Sequence, residues 1–161
     1  MAIDASITLR RLIYELSEWT TDHSMLNQFA YGKWLSHYSK EEKSYPILAV
    51  NCTGWNLEQW YVTYNLEVVV LFWVTDDRFN QERAESDATQ IFTDLENTIR
   101  YSDRWQSFAR LDQNWTSQKV EEYGGDKAFG FLAQFPIKIK KKSGICDLQT
   151  LMPSYDFDTT I

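Results

Sequence analysis

The sequence predicts an α+β fold, a largely antiparallel sheet flanked by an N-terminal helix and one long amphipathic helix. Three observations carry that expectation. Apolar residues recur with helical spacing near the start and again past the middle. Between those stretches runs a long strand-type segment, Trp60 to Thr75. Two further strand candidates follow the second helical stretch, separated by a glycine pair.

From Ile3 to Trp19, the residues Leu9, Leu12, Ile13 and Leu16 share one helix face, and Asp4 or Ser6 is placed to cap its start. Thr20 to Ser24 reads as a polar break. Gln28 to Leu35 reads as a short strand, and Ser36 to Ser44 as a polar loop. Pro46 to Val50 is a buried strand opened by a proline, which a first strand position tolerates. Asn51 to Asn56, with Gly54 inside it, reads as a turn.

In the long segment, Thr63, Asn65 and Glu67 alternate with Tyr64, Leu66 and Val68, giving its first half one wet face. Val68 to Val74 is apolar on both faces, as a central strand covered on both sides would be. Asp76, Asp77 and Asn80 then supply cap chemistry for a second helix. Its stripe is Ala84, Ala88, Ile91, Phe92, Leu95 and Ile99. Burying the large members contributes roughly 6–12 kcal/mol gross at about 1.5–3 each, and conformational entropy offsets most of it. Trp115 to Tyr123 and Ala128 to Ile139 flank Gly124-Gly125-Asp126 as a hairpin, with Phe129, Phe131, Ala133, Phe135 and Ile137 on one face. No linker divides the chain, so residues 1–142 read as a single domain and 143–161 as an extended arm.

Composition narrows the function. The 161 residues include seven tryptophans, nine tyrosines and nine phenylalanines, 16% of the chain. That is more aromatic surface than one small core is expected to hide, and aromatic side chains suit subunit contacts. A net charge of −7 argues against a general nucleic-acid binder, which needs a basic face. The start carries no basic stretch followed by an apolar one, and no run approaches the ~20 apolar residues of a membrane span. Synthesis in the cytoplasm is the expectation. Cys52 and Cys146 then read as reduced thiols, and the sequons at Asn51 and Asn114 as unused.

Chemistry is sparse. His23 and His37 lie in polar segments without metal-ligand spacing and read as solvated loop residues. No phosphate loop, nucleophile elbow or zinc-protease motif occurs, so neither a catalytic residue nor a cofactor is assigned. Asp76 and Asp77 could hold Mg²⁺ for a metal-dependent enzyme, but they also sit where a helix start favours negative charge, and the capping role is preferred. Lys138, Lys140, Lys141 and Lys142 form the basic cluster: lysines blunting a sheet edge, or a positive spot facing DNA or an acidic neighbour. Trp55, Trp60, Tyr61, Trp105, Phe108 and Trp115 are candidate interface anchors that could equally be core, and Tyr155 and Phe157 join them from the arm.

The order of elements carries a resemblance. A helix leads into Gln28 to Leu35, then Tyr45 to Val50, then the long strand Tyr64 to Asp77, the amphipathic helix Glu82 to Arg100 and a closing hairpin. Over roughly residues 5 to 140 this resembles the tail-terminator, or tail-completion, proteins in the neck of tailed bacteriophages. The likeness lies in order and lengths, since that family has no short signature to match. It implies a non-enzymatic virion protein, made in the host cytoplasm, that forms a ring, often hexameric. Such a ring joins the head connector to the tail and meets other neck, portal or tail proteins. DNA would be passing cargo, and no membrane is involved. A domain with a small-molecule pocket lined by the aromatics is the alternative.

Overall fold

The computed structural model describes residues 9–32, 44–73, 78–112, 114–121 and 128–141. Their elements run α1 (Leu9–Asp22), β1 (Gln28–Tyr31), β2 (Ile47–Leu57), β3 (Tyr61–Trp73), α2 (Arg78–Tyr101), α3 (Asp103–Gln106), β4 (Ala109–Arg110), β5 (Ser117–Glu121) and β6 (Ala128–Lys140). The fold is α+β. Its six-stranded sheet has the order β1-β2-β3-β6-β4, with β5 also paired to β6.

The sheet is mixed, which corrects the expectation of a largely antiparallel one. β1 runs parallel to β2, with Gln28 opposite Ile47 and Tyr31 opposite Val50. A parallel neighbour needs a long connection in place of a tight turn, and residues 32–46 are that connection. Read only as a loop, the segment concealed the strand direction. β1 stops at Gly32, whose φ of 68° is a backbone state that glycine adopts without steric cost.

Two boundaries move for identifiable reasons. The polar break at Thr20 to Ser24 begins later than expected, because Thr20 and Thr21 stay helical. Their hydroxyls donate back to the carbonyls of Leu16 (2.8 Å) and Ser17 (3.1 Å), and this satisfies the buried Thr20. The turn expected at Asn51 to Asn56 is instead the outer half of β2, where the register slips between Cys52 and Gly54. One extra residue there makes a β-bulge, and turn-type residues inside a strand are the mark of one.

β3 lies between β2 and β6 and pairs along its whole length with β6, from Tyr61–Lys140 to Trp73–Ala128. Alternation then assigns two faces. Leu66, Val68, Val70 and Phe72, with Phe129, Phe131, Phe135, Ile137 and Ile139, form one core with Leu12 and Leu16 of α1 and Ile91, Leu95 and Ile99 of α2. Ala30, Ile47, Ala49, Val69, Leu71 and Leu132 form a second buried cluster on the opposite face. Between the faces, Gly130 is a position where only glycine fits. A Cβ there would collide with the Val70 carbonyl oxygen and approach Leu71 Cδ2 to 2.8 Å.

Candidate functional site

The β2–β3 ribbon extends to a hairpin end at residues 57–61, where the Glu58 amide donates to the Tyr61 carbonyl at 2.8 Å. Trp55 stands opposite Tyr64, and Leu57 opposite Val62. Cross-strand partners share a face, so Trp55 and Leu57 extend the helix-covered face outward. Tyr64 is still covered, its hydroxyl accepting the Leu9 amide at the start of α1 (3.2 Å). Farther out, no described residue of the helices covers this face. Trp55 is 60% exposed, Leu57 64% and Trp60 56%. Scattered apolar residues on a surface need no explanation, but three large ones within a single hairpin end do.

The opposite face of this end is polar and ion-paired. Lys138 Nζ lies 3.4 Å from both Glu58 Oε2 and Asp112 Oδ2, and Arg110 Nε donates to Asp112 Oδ1 at 2.6 Å. The Asp112 bond, with a smaller part from the Tyr61 hydroxyl, holds the Arg110 guanidinium above its ordinary pKa. Lys138 also lies over the Tyr61 ring, 5.9 Å from its centroid. The lysine run is therefore not one patch. Lys138 is balanced by carboxylates, Lys140 stands exposed, Lys141 donates its amide to the Trp60 carbonyl at 2.8 Å, and Lys142 lies outside the described residues.

Among the other interface candidates, Trp105 and Phe108 must be corrected: each is 3% exposed and belongs to the core. Their rings pack together with centroids 5.2 Å apart, and Arg11 of α1 lies 4.6 Å from the Phe108 centroid. They fasten α3 to its own chain and so have no surface for a neighbour. Trp115 is half-buried, stacked on Phe135 at 3.9 Å with 10° between planes and edge-on to Phe92. Its buried Nε1–H has no hydrogen-bond partner among the described residues. Tyr61 is half-buried at the hairpin base. Tyr155, Phe157, Asp76, Asp77, His37, Cys146 and the arm lie outside the described residues.

His23 is not a solvated loop residue. Its side chain is 10% exposed, its Nε2 lies 2.9 Å from Asp94 Oδ2, and its Nδ1 accepts the Met25 amide. Because Nδ1 is an acceptor, Nε2 carries the proton and donates to Asp94. Trp19 donates to Thr98 at 3.1 Å beside it, so this pair clasps the end of α1 to α2. Buried Glu15 forms a second clasp, taking Arg104 Nη2 at 2.9 Å and Nε at 2.8 Å from α3. That bond raises the Arg104 pKa above its ordinary value. Among the described residues no three His, Cys, Asp or Glu side chains are grouped to hold a metal, and no helix is long and apolar enough to cross a membrane.

Sequence reading missed Leu57 and Tyr101. Leu57 fell just past a segment read as a turn. Tyr101 is 72% exposed at the last position of α2, off the apolar stripe, and that offset was the available signal. The sequence matches no protein-family model and no curated protein.

Proposed function

We propose that this chain is a structural subunit that assembles with copies of itself into a ring, as a neck or tail-connector component of a virion. The observation that carries the reading is the apolar hairpin end, Trp55, Leu57 and Trp60, exposed at the outer end of the paired strands β2, β3 and β6. The order of helix, long strand, amphipathic helix and closing hairpin supports the narrower phage assignment.

Magnitudes favour a ring over a simple pair. Covering three such side chains contributes roughly 5–9 kcal/mol gross, while association costs about 4–15 kcal/mol of lost freedom. One hairpin contact is therefore weak by itself. A closed ring repeats it with every neighbour and adds whatever else the two surfaces share. A weak contact used many times suits a part that assembles only at its proper place.

Light scattering of the purified chain, alone and with neck extracts, tests this. The expected result is a mass that is a closed multiple of the 19.0 kDa chain, in one setting or the other. The combined substitutions W55S, L57S and W60S should return it to a monomer with unchanged circular dichroism. A wild-type chain that stays monomeric in both settings would overturn the proposal.

A further inference from the structure

At the β4 edge of the sheet, a cavity of about 390 Å³ opens between the end of α2, the α3–β4 turn and the first residue of β3. Small-ligand sites begin near 300 Å³. Three cationic residues are among its lining, Arg100, Arg110 and Lys140, together with Tyr61, Tyr101 and Ser107, and no acidic residue is among the described residues that line it. In a chain of net charge −7 that is a local inversion of sign.

The carboxylates that balance the arginines stand outside the lining. Glu96 Oε1 takes Arg100 Nε at 2.9 Å, and Asp112 Oδ1 takes Arg110 Nε at 2.6 Å. Each carboxylate thereby orients its guanidinium from outside the cavity. Lys140, an exposed residue of the lining, forms no ion pair among the described residues, so its charge is unbalanced there. Three backbone oxygens of the lining residues already accept hydrogen bonds. The Arg100 carbonyl accepts Gln106 Nε2, the Leu111 carbonyl accepts Arg100 Nη1, and the Phe108 carbonyl accepts the Lys140 amide. The exposed Tyr101 ring at the rim offers a face for a flat apolar group to stack on.

We infer that this cavity binds a phosphate group, carried by a small phosphomonoester with an aromatic or sugar portion resting on Tyr101. Planar guanidinium groups suit phosphate oxygens, and an ammonium adds a mobile point charge. The concave shape fits one terminal phosphate better than a continuous strand. The inference does not rest on ring assembly and holds for a monomer equally.

The test is calorimetric titration of the full chain at low salt with inorganic phosphate, adenosine monophosphate and a short oligothymidylate lacking terminal phosphates. The monophosphate should bind, inorganic phosphate should compete with it, and added chloride should weaken both. K140Q, at an exposed strand end, should lower affinity about tenfold, as loss of one charge-assisted hydrogen bond does. R110Q should do the same, with melting temperature recorded for both variants as the check on folding. Absence of binding by phosphate and monophosphate, or K140Q binding like wild type, overturns the inference. Lys140-dependent binding of the oligonucleotide alone would transfer the site to a nucleic-acid backbone and overturn the monoester assignment.

Discussion

The two ends of the β2–β3 ribbon have the same backbone and opposite surroundings. At the inner end, Ile47 to Val50 pair with Val68 to Leu71, and all eight are buried. At the outer end, Trp55 and Leu57 pair with Tyr64 and Val62 in the same antiparallel ladder, yet both are more than half exposed. Hydrogen bonding and side-chain type do not separate the two ends. Cover does: among the described residues, α1 and α2 pack over the inner-end face of Leu48, Val50, Val68 and Val70, and α1 reaches outward as far as the Leu9–Tyr64 contact. Large apolar groups that stand exposed on paired strands are available for contact with another molecule. The inner end should therefore govern stability and the outer end association.

The largest expected effect is in the core beneath the helices. Leu95 is fully buried, and L95A should cost about 2–5 kcal/mol through lost transfer energy and a residual cavity. Urea denaturation followed by tryptophan fluorescence measures it, and a loss near zero would mean that α2 does not pack as described. G130A comes next, at about 2–3 kcal/mol. The added methyl meets a β3 carbonyl oxygen, and a ladder paired along its full length has little room to shift. R104A should cost about 1–2 kcal/mol, because it leaves the buried Glu15 carboxylate unpartnered. The Arg104 end is open to water, which keeps the loss at the low end of that penalty. In E15Q/R104A the added loss over E15Q should be smaller than the loss from R104A alone, since the charge that suffers is already gone.

Most of the inner end was legible in the sequence. The α2 stripe is a periodic signal, and periodicity survives without knowledge of neighbours. Of the run Val68 to Val74, expected to be covered on both faces, Val68 to Phe72 are buried, Trp73 is 41% exposed and Val74 lies outside the described residues. The direction of β1 was not legible, because a parallel partner is set by the route of the connection and not by residues in the strand. The outer half of β2 was misread because Asn51, Gly54 and Asn56 carry turn chemistry, and a bulge uses the same residues as a turn. Of the candidate anchors, Trp55 and Trp60 are outside and Trp105 and Phe108 inside. Composition alone could not divide them, since a tryptophan is equally suited to either place. The basic cluster dissolved for a related reason: strand alternation puts Lys138 and Lys140 on one face, but Glu58 and Asp112 reach Lys138 from other elements.

The smallest effect on the monomer is expected at the hairpin end, and it is the sharpest test of the comparison. Trp60 is more than half exposed, so in dilute solution W60S should change stability by no more than about 0.5 kcal/mol, as surface substitutions generally do. Its consequence should appear only when chains meet. Association stabilises the folded form by mass action, so the wild-type melting temperature should rise with protein concentration. That rise should be reduced or absent in W60S, while the two proteins melt together at the dilute limit. If W60S melts well below wild type at every concentration, Trp60 is supporting its own chain and the two ends of the ribbon are alike. If neither protein shows a concentration dependence, the uncovered end has some purpose other than self-association.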